Sequence, residues 1–287
     1  MPANTNFRIF VRSLVPPILA RPLGRLWPSS ERAVLEYHPG GWEEPPREGQ
    51  NGWNVSSVID AETAKWEAFQ SNLKGPGPLG FSHESTDLEV TRNLFFHNTH
   101  ISYGYVLSLS AQHLAAVSVL DWGGGLGHYY LLGKTLLPDV HLDFNCRDVP
   151  LMCKRGRELN PEVRFYEDDS CLSKSYDLVM INGSLGYFEN WKELLARICG
   201  AVKHYLFLTR VLTVKGSPSF VALQRTEIYN YNTELLTQVF NETELLRIVT
   251  ESGLRLMREF VVGDGPTIVG APAQCRDCGW LFTRDEK

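Results

Sequence analysis

The residues with the clearest chemical spacing are Asp121, Gly123, Gly124, Gly125 and Gly127, within the stretch VSVLDWGGGLGHYY at 117–130. A β-branched and leucine-rich run, Val117–Leu120, reads as a buried strand, and the acid closes it. The apolar segment beyond the glycines predicts a helix at about 127–136, ended by Pro138. Strand, glycine turn and helix together bring bare backbone N–H groups and a helix N-terminus up to a ligand. Glycine suits such a turn because a side chain would hold the ligand off and because positive φ is costly for other residues. A glycine-rich turn that holds nothing is the alternative reading.

Two ligand classes use this geometry, and glycine spacing separates them. The dinucleotide fingerprint is G-x-G-x-x-G. Counted from Gly123 its third glycine falls on His128, and counted from Gly125 it falls on Tyr130. Neither frame fits, which disfavours a nicotinamide-dependent dehydrogenase. What stands here is acid-x-Gly-x-Gly-x-Gly, namely Asp121, Gly123, Gly125 and Gly127. That pattern resembles the first motif of class I S-adenosylmethionine-dependent methyltransferases.

The elements that must position this loop alternate through most of 117–262. Val140, Leu142, Phe144 and Cys146 alternate with polar residues, a period-two strand ending in Arg147 and Asp148. A carboxylate at the end of a second strand can accept from both hydroxyls of a ribose. A helix is predicted at about 150–159, then a short strand Val163–Tyr166 ending in Glu167, Asp168 and Asp169, acids that could meet an adenine amino group. Tyr176–Ile181 is a strongly apolar strand with Asn182, Gly183, Ser184, Leu185, Gly186 and Tyr187 at its carboxyl end. A helix over 190–202 leads to a fifth strand, Tyr205–Leu208, ending at Thr209 and Arg210, and then to a less regular insertion at about 213–240. Asn241 and Glu244 form a capping box for a helix that Gly253 closes. Leu254–Val262 and Trp280–Thr283 read as a final antiparallel pair. This alternation argues for an α/β fold with a doubly wound sheet.

Upstream, residues 38–54 are rich in Pro, Gly and acids, with Trp42 and Trp53 pinning the loop to the body. Helical spacing over 55–74 includes Val58, Ala61, Lys65 and Phe69, and the GPGPLG run at 75–80 ends it. A second helical pattern runs from about 85 to 114, with Ser85 where a cap is expected. Lying ahead of the first strand, it can fold over the carboxyl end of the sheet, where ligands sit in open α/β folds.

With these parts placed, residues 117–283 look like a class I methyltransferase domain. The resemblance implies a Rossmann-like doubly wound sheet of seven strands with a reversed final hairpin, carrying a helical N-terminal extension. The organisation it implies is an arm and Trp/Pro/Gly-rich extension over 1–80. The methyltransferase domain then spans 81–287, with the 85–114 helical cap and the 213–240 insertion. The whole chain further resembles a bacterial family of predicted methyltransferases found among surface-polysaccharide biosynthesis proteins. The likeness is carried by Gly41 to Glu43, Leu94 to Phe96 through Ser102 and Tyr103, LDWGGGLGHYY, Asp148 to Pro150, Val163–Tyr166, Tyr205–Arg210 and Gly279–Phe282. It implies that Asp121, Gly123 and Gly125 contact the methionine part of S-adenosylmethionine, with Gly127 also in the cofactor site. It also implies that Asp148 binds its ribose, that Asp168 or Asp169 meets its adenine, and that Ser184 and Leu185 line the pocket. Thr209 stands where relatives often carry an acid before the arginine, and His128 where a small residue is common; both departures fall on the acceptor side.

Methyl transfer is an in-line displacement, so the protein mainly positions the acceptor and excludes water. Tyr129, Tyr130 or Tyr187 could face the sulfonium cation, core packing being the other reading of each. A hydroxyl acceptor must lose its proton, and histidine is the usual base near neutral pH. His97 and His100 lie one helical turn apart, on one face. His100 is the expected base and His97 the second; the alternative is that both are structural. His128, Tyr187 and Arg210 are the expected acceptor-binding residues, Arg210 for an anionic group. The acceptor class, oxygen of a sugar or glycan precursor, comes from the resemblance. A small natural product methylated on O or N, and a cofactor-binding scaffold without catalysis, are the alternatives.

The 287 residues suffice for one large α/β domain with an extension, and 43% hydrophobic with 21% charged residues describes a globular chain. A net charge of −5 offers no electrostatic footprint for nucleic acid. Six scattered cysteines are too few for a disulfide framework, so a reducing cytoplasm is the expected setting. Cys275 and Cys278 form a lone C-x-x-C without the second pair a zinc site needs, so no metal is expected. The first 30 residues hold Arg8, Arg12, Arg21 and Arg25, no acid, and Pro16, Pro17 and Pro22. Such an arm either packs or frays, or lies peripherally on an anionic membrane face.

Overall fold

A computed structural model describes residues 34–46, 52–84, 91–112 and 114–284. The N-terminal arm considered for membrane contact lies outside them. The first strand of the central sheet, β2 (Ala116–Trp122), is buried at every position from Val119 onward, as a central parallel strand must be. It pairs in parallel with β3 (His141–Arg147) on one side and β5 (Tyr176–Asn182) on the other. β4 (Arg164–Tyr166) extends the sheet beyond β3, and β6 (Val202–Val214) extends it beyond β5, both in parallel. β10 (Arg276–Thr283) then runs antiparallel to β6, and β9 (Arg255–Gly263) antiparallel to β10. The order β4-β3-β2-β5-β6-β10-β9 is the seven-stranded, doubly wound arrangement with a reversed final hairpin.

Helices cover both faces. The helices are α1 (Ser56–Lys74), α2 (Leu94–Ala111), α3 (His128–Leu136), α4 (Pro150–Leu159), α5 (Trp191–Gly200) and α6 (Glu242–Glu251). Period-two alternation divides the strand side chains between two cores. Val119, Leu178, Met180 and Phe207 face Tyr103, Leu107, Tyr129 and Leu132 on one side. Leu120, Val179, Ile181 and Leu208 face Trp191, Leu195, Ile198 and Leu245 on the other.

Three regions depart from the sequence reading. β6 does not stop at Leu208; it continues to Val214, and its far end pairs in parallel with β8 (Glu234–Asn241). The region read as irregular holds β8 paired antiparallel with β7 (Phe220–Arg225), and β1 (Leu35–Tyr37) adds to β7's free edge. No alternation marks β8 in the sequence, because every residue from Leu235 to Phe240 is buried, Thr237 and Gln238 included. The third departure is α2, which starts at Leu94, where the Asn93 side chain accepts from the Phe95 N–H at 2.9 Å; Ser85 lies outside the described residues.

The capping box at α6 is half made. Asn241 Oδ1 accepts from Glu244 N–H at 2.9 Å, but the Asn241 N–H donates to Ser219 Oγ instead of to Glu244. All six cysteines are free thiols and buried. No helix among the described residues is long and apolar enough to cross a membrane.

Candidate functional site

The carboxyl ends of β2, β3 and β5, with Arg210 from within β6, open onto a cavity of about 550 Å³. Its floor is the glycine loop. Gly123 has φ +77°, and a Cβ there would lie 2.3 Å from Ser184 Cβ, so only glycine lets the loop pass beneath the turn after β5. Ser184 closes that contact by donating from Oγ to the Trp122 carbonyl at 2.5 Å. Gly125 has φ +61° with His128 Nδ1, 3.6 Å away, nearest its Cβ side, and its N–H donates to Asp148 Oδ2 at 2.8 Å.

Asp121 sits at the head of the loop, fully buried. Neither carboxyl oxygen has a hydrogen-bond partner among the described residues. Burial, and after it the charge of Asp148, pushes this carboxyl up to about 8. A buried, unpartnered carboxyl is costly unless a donor or cation meets it. Asp148 is better satisfied, because Oδ1 also accepts from the Val149 N–H at 2.7 Å; burial still raises it above the ordinary carboxylate range.

The expected site residues divide. Asp121, Gly123, Gly125, Asp148, Ser184, Tyr187 and Arg210 line this cavity. Gly127 ends the loop behind it as the N-cap of α3, and Leu185 turns into the core. Asp168 and Asp169 are not among the lining residues. Asp169 is held by Arg147 at 3.3 Å and Arg197 at 2.8 Å, and Asp168 accepts from the Ser170 N–H. Val149, Met152, Arg147 and Phe188 line the wall beyond Asp148 in their place.

The histidines divide as well. His100 is buried away from the cavity, with Nδ1 bonded to the Leu79 carbonyl at 2.8 Å and Phe81 and Tyr129 against its ring. Burial pushes it down to about 4, although the Leu79 carbonyl acts in the opposite direction. His97 is likewise not among the lining residues, and His128 lies behind the wall, 2% exposed.

His83, which sequence reasoning passed over, does line the cavity, together with Glu62, Glu84, Trp42, Trp53 and Tyr231. Its ring stacks on His128 with centroids 4.0 Å apart. Glu62 and Lys65 stand on the buried stripe of α1 with Val58, Trp66, Phe69 and Leu73. Two charges at buried helical positions were a signal already present in the periodicity. Burial pushes Glu62 up to about 8, while the Tyr231 hydroxyl donates to its Oε1 and works the other way.

Arg210 sits at φ +55°, a backbone region disfavoured for arginine, and such positions cluster at functional sites. Its guanidinium donates two bonds of 2.8 Å to Glu84 and lies over the rings of Phe95 and Phe96 at 5.3 and 5.9 Å. Burial opposes the Glu84 charge, but Arg210 outweighs it and holds the carboxyl below its ordinary range. Beyond the pair lies a second cavity of about 350 Å³, which shares Glu84, Gly183, Tyr187 and Arg210 with the first.

No family model matches this chain, and no curated protein matches it. Solved structures similar to it include magnesium protoporphyrin IX methyltransferase from Synechocystis with bound SAH. That pair is 13% identical over 79% of this chain and 98% of the other, with a TM-score of 0.45. An N-methyltransferase from Bradyrhizobium japonicum in complex with S-adenosyl-l-homocysteine is 15% identical over 77% and 99%, with a TM-score of 0.44. A SAM-bound amino pentose methyltransferase from Micromonospora echinaspora is 14% identical over 65% and 91%, with a TM-score of 0.43. The fold assignment stands on the strand order itself rather than on these likenesses.

Proposed function

We propose that the chain is an S-adenosylmethionine-dependent methyltransferase that methylates oxygen on a small acceptor, a sugar or glycan precursor. The observation that carries this reading is Asp121, a buried carboxyl with two orphaned oxygens facing a cavity floored by glycine backbone. The cofactor's amino group and sulfonium are cations, and a carboxylate in a water-poor pocket attracts them strongly. Gly123 and Gly125 leave room for the methionine part, Asp148 stands where ribose hydroxyls would reach it, and Val149, Met152 and Phe188 give the adenine an apolar slot. The residues present therefore fit the group. When bound, it supplies an electrophilic methyl, which the acceptor oxygen takes as the carbon–sulfur electron pair passes to sulfur and the hydroxyl proton leaves.

The acceptor belongs in the second cavity, meeting the first at Glu84 and Arg210. Phe95, Phe96 and Tyr187 offer ring faces there, and Asp264, Asp277 and Gln238 offer acceptors for hydroxyls. Asp277 Oδ1 is buried without a hydrogen-bond partner among the described residues, and burial pushes that carboxyl up to about 6. Rings beside carboxylates and amides suit a polyhydroxylated ligand. Neither His97 nor His100 lines either cavity, so the reading keeps neither as the base for the acceptor proton.

Calorimetry with S-adenosylmethionine and S-adenosylhomocysteine tests the cofactor assignment. Saturable one-site heats that vanish in Asp121→Ala are expected, and no heat from folded protein would end the proposal. Donor turnover measured with sugar nucleotides, amines and phenols then tests the acceptor. Turnover confined to amines or phenols would move the assignment to a natural-product methyltransferase, and turnover with none of the three would favour a scaffold.

A further inference from the structure

We propose that Glu62, His83 and His128 form a binding site for one divalent ion of the zinc class in the wall of the first cavity. The three come from separate segments: the middle of α1, the connection after it and the first residue of α3. One ligating atom from each lies within 4.8 Å of the other two. Two imidazoles and a carboxylate are the donor set that zinc-class ions take while keeping a coordination position open. Magnesium and calcium prefer oxygen shells and fit it poorly.

A second observation points to a ligand at the same place. His128 is 2% exposed, yet neither ring nitrogen has a hydrogen-bond partner among the described residues. Buried polar atoms are nearly always partnered, and this ring offers two that are not. Its Nε2 stands 3.8 Å from Glu62 Oε2. That is too long for a hydrogen bond, and close to the roughly 3.4 Å between two ligands of a tetrahedral zinc.

The surroundings prepare two of the three ligands. Trp66 and Phe69 pack edge-on against the His128 ring at 5.0 and 4.9 Å and fix its direction. Tyr231 donates to Glu62 Oε1, which leaves Oε2 free on the His128 side. Outer hydrogen bonds of this kind orient metal ligands. His83 now lies within 16° of parallel to His128, so it must tilt until the two lone pairs converge. It borders the cavity, the side left open to such a movement by its packing on His128 and Phe69.

Lys65 lies with its Nζ 4.0 Å from Glu62 Oε1, the oxygen that the Tyr231 hydroxyl also meets. Its ammonium also donates to the carbonyls of Glu84 and Tyr229. Because Glu62 and His83 line the cavity, the open position of the ion faces the bound ligands. An acceptor hydroxyl that reaches past Glu84 from the second cavity would meet it there as a Lewis acid. That use rests on the methyl-transfer reading; the site itself does not.

Titration of the metal-free full chain with Co²⁺ tests the site without reference to turnover. We expect one ion per chain with the visible absorption of a four- or five-coordinate centre, displaced by Zn²⁺. Binding should weaken at least about tenfold, some 1.4 kcal/mol, in Glu62→Gln and in His83→Asn. His128→Ala removes a buried ring and could fail to fold, so the other two variants, checked by thermal melting, decide the matter. Asp121→Asn should keep the Co²⁺ band while losing cofactor binding. No band in folded wild-type protein, or a band untouched by both substitutions, overturns the metal site and leaves the methyl-transfer proposal intact. A band in a protein that binds no cofactor does the reverse.

Discussion

Glu84 meets the guanidinium of Arg210 end to end, each oxygen 2.8 Å from one terminal nitrogen, and the pair stands where the two cavities join. Such a fork satisfies both charges in one orientation, which a lysine could not reproduce. Removing one partner leaves the other half-buried and uncompensated, at a cost of about 1–3 kcal/mol. Glu84→Gln is therefore expected to lower stability in urea denaturation, and Glu84→Gln with Arg210→Met to recover part of the loss. In both, acceptor turnover should fall at least about tenfold while cofactor affinity holds within about threefold.

Asp121 sets a pH dependence. Its carboxyl titrates near 8 in the folded chain against 3.8 unperturbed, so between those values the folded state holds a proton that the unfolded state has released. Stability without ligand should thus fall as pH rises from 4 to 8. Asp121→Asn should make that fall shallower, with the raised Glu62 and Asp277 carboxyls supplying the rest, and should melt higher at pH 8. A cationic cofactor requires the carboxylate, so its affinity should rise by up to about tenfold per pH unit over the same window and level off above it. Calorimetry in buffers of different ionisation enthalpy would register the released proton.

The two loop glycines should respond differently to alanine. At Gly123 the added carbon meets Ser184 at 2.3 Å and the backbone is left-handed, so Gly123→Ala should lose about 2–3 kcal/mol and the cofactor with it. At Gly125 only the φ penalty applies, because nothing lies closer than 3.6 Å, and about 1–2 kcal/mol is expected. Thermal melts of the pair read this difference directly.

Asp148 and Asp169 form a further contrast. Asp148→Ala removes an acceptor from the cavity wall and should weaken cofactor binding at least about tenfold, a typical loss for a charged hydrogen bond. Asp169→Ala reaches the lining only through Arg147, whose guanidinium also rests on the Trp122 ring at 4.7 Å, and affinity should stay within about threefold. Equal losses in the two variants would return the adenine to the acids after β4.

The strand, loop and helix of 117–136, the acid ending β3 and the apolar strand β5 were all legible in the chain, because each is a local event. Period, glycine and a terminating acid lie within a few residues of one another, and backbone sterics read them the same way in any fold. β8 was not legible, since burial on both faces erases the alternation that marks a strand, and β7, fully buried only over its first three residues, carries no alternation either. The histidines were misplaced for a related reason. His97 and His100 share a helix face, but only packing decides that His100 bonds the Leu79 carbonyl and never reaches the cavity.

Local sequence thus determined the glycine cradle and the carboxyl of Asp121 at its head. Tertiary structure alone decided what faces them: Glu62 from α1, His83 from the following connection, and Arg210 drawn across the sheet end to Glu84. Side chains so far apart along the chain share a space only because two cores close on either side of one sheet. No short-range pattern carries that information.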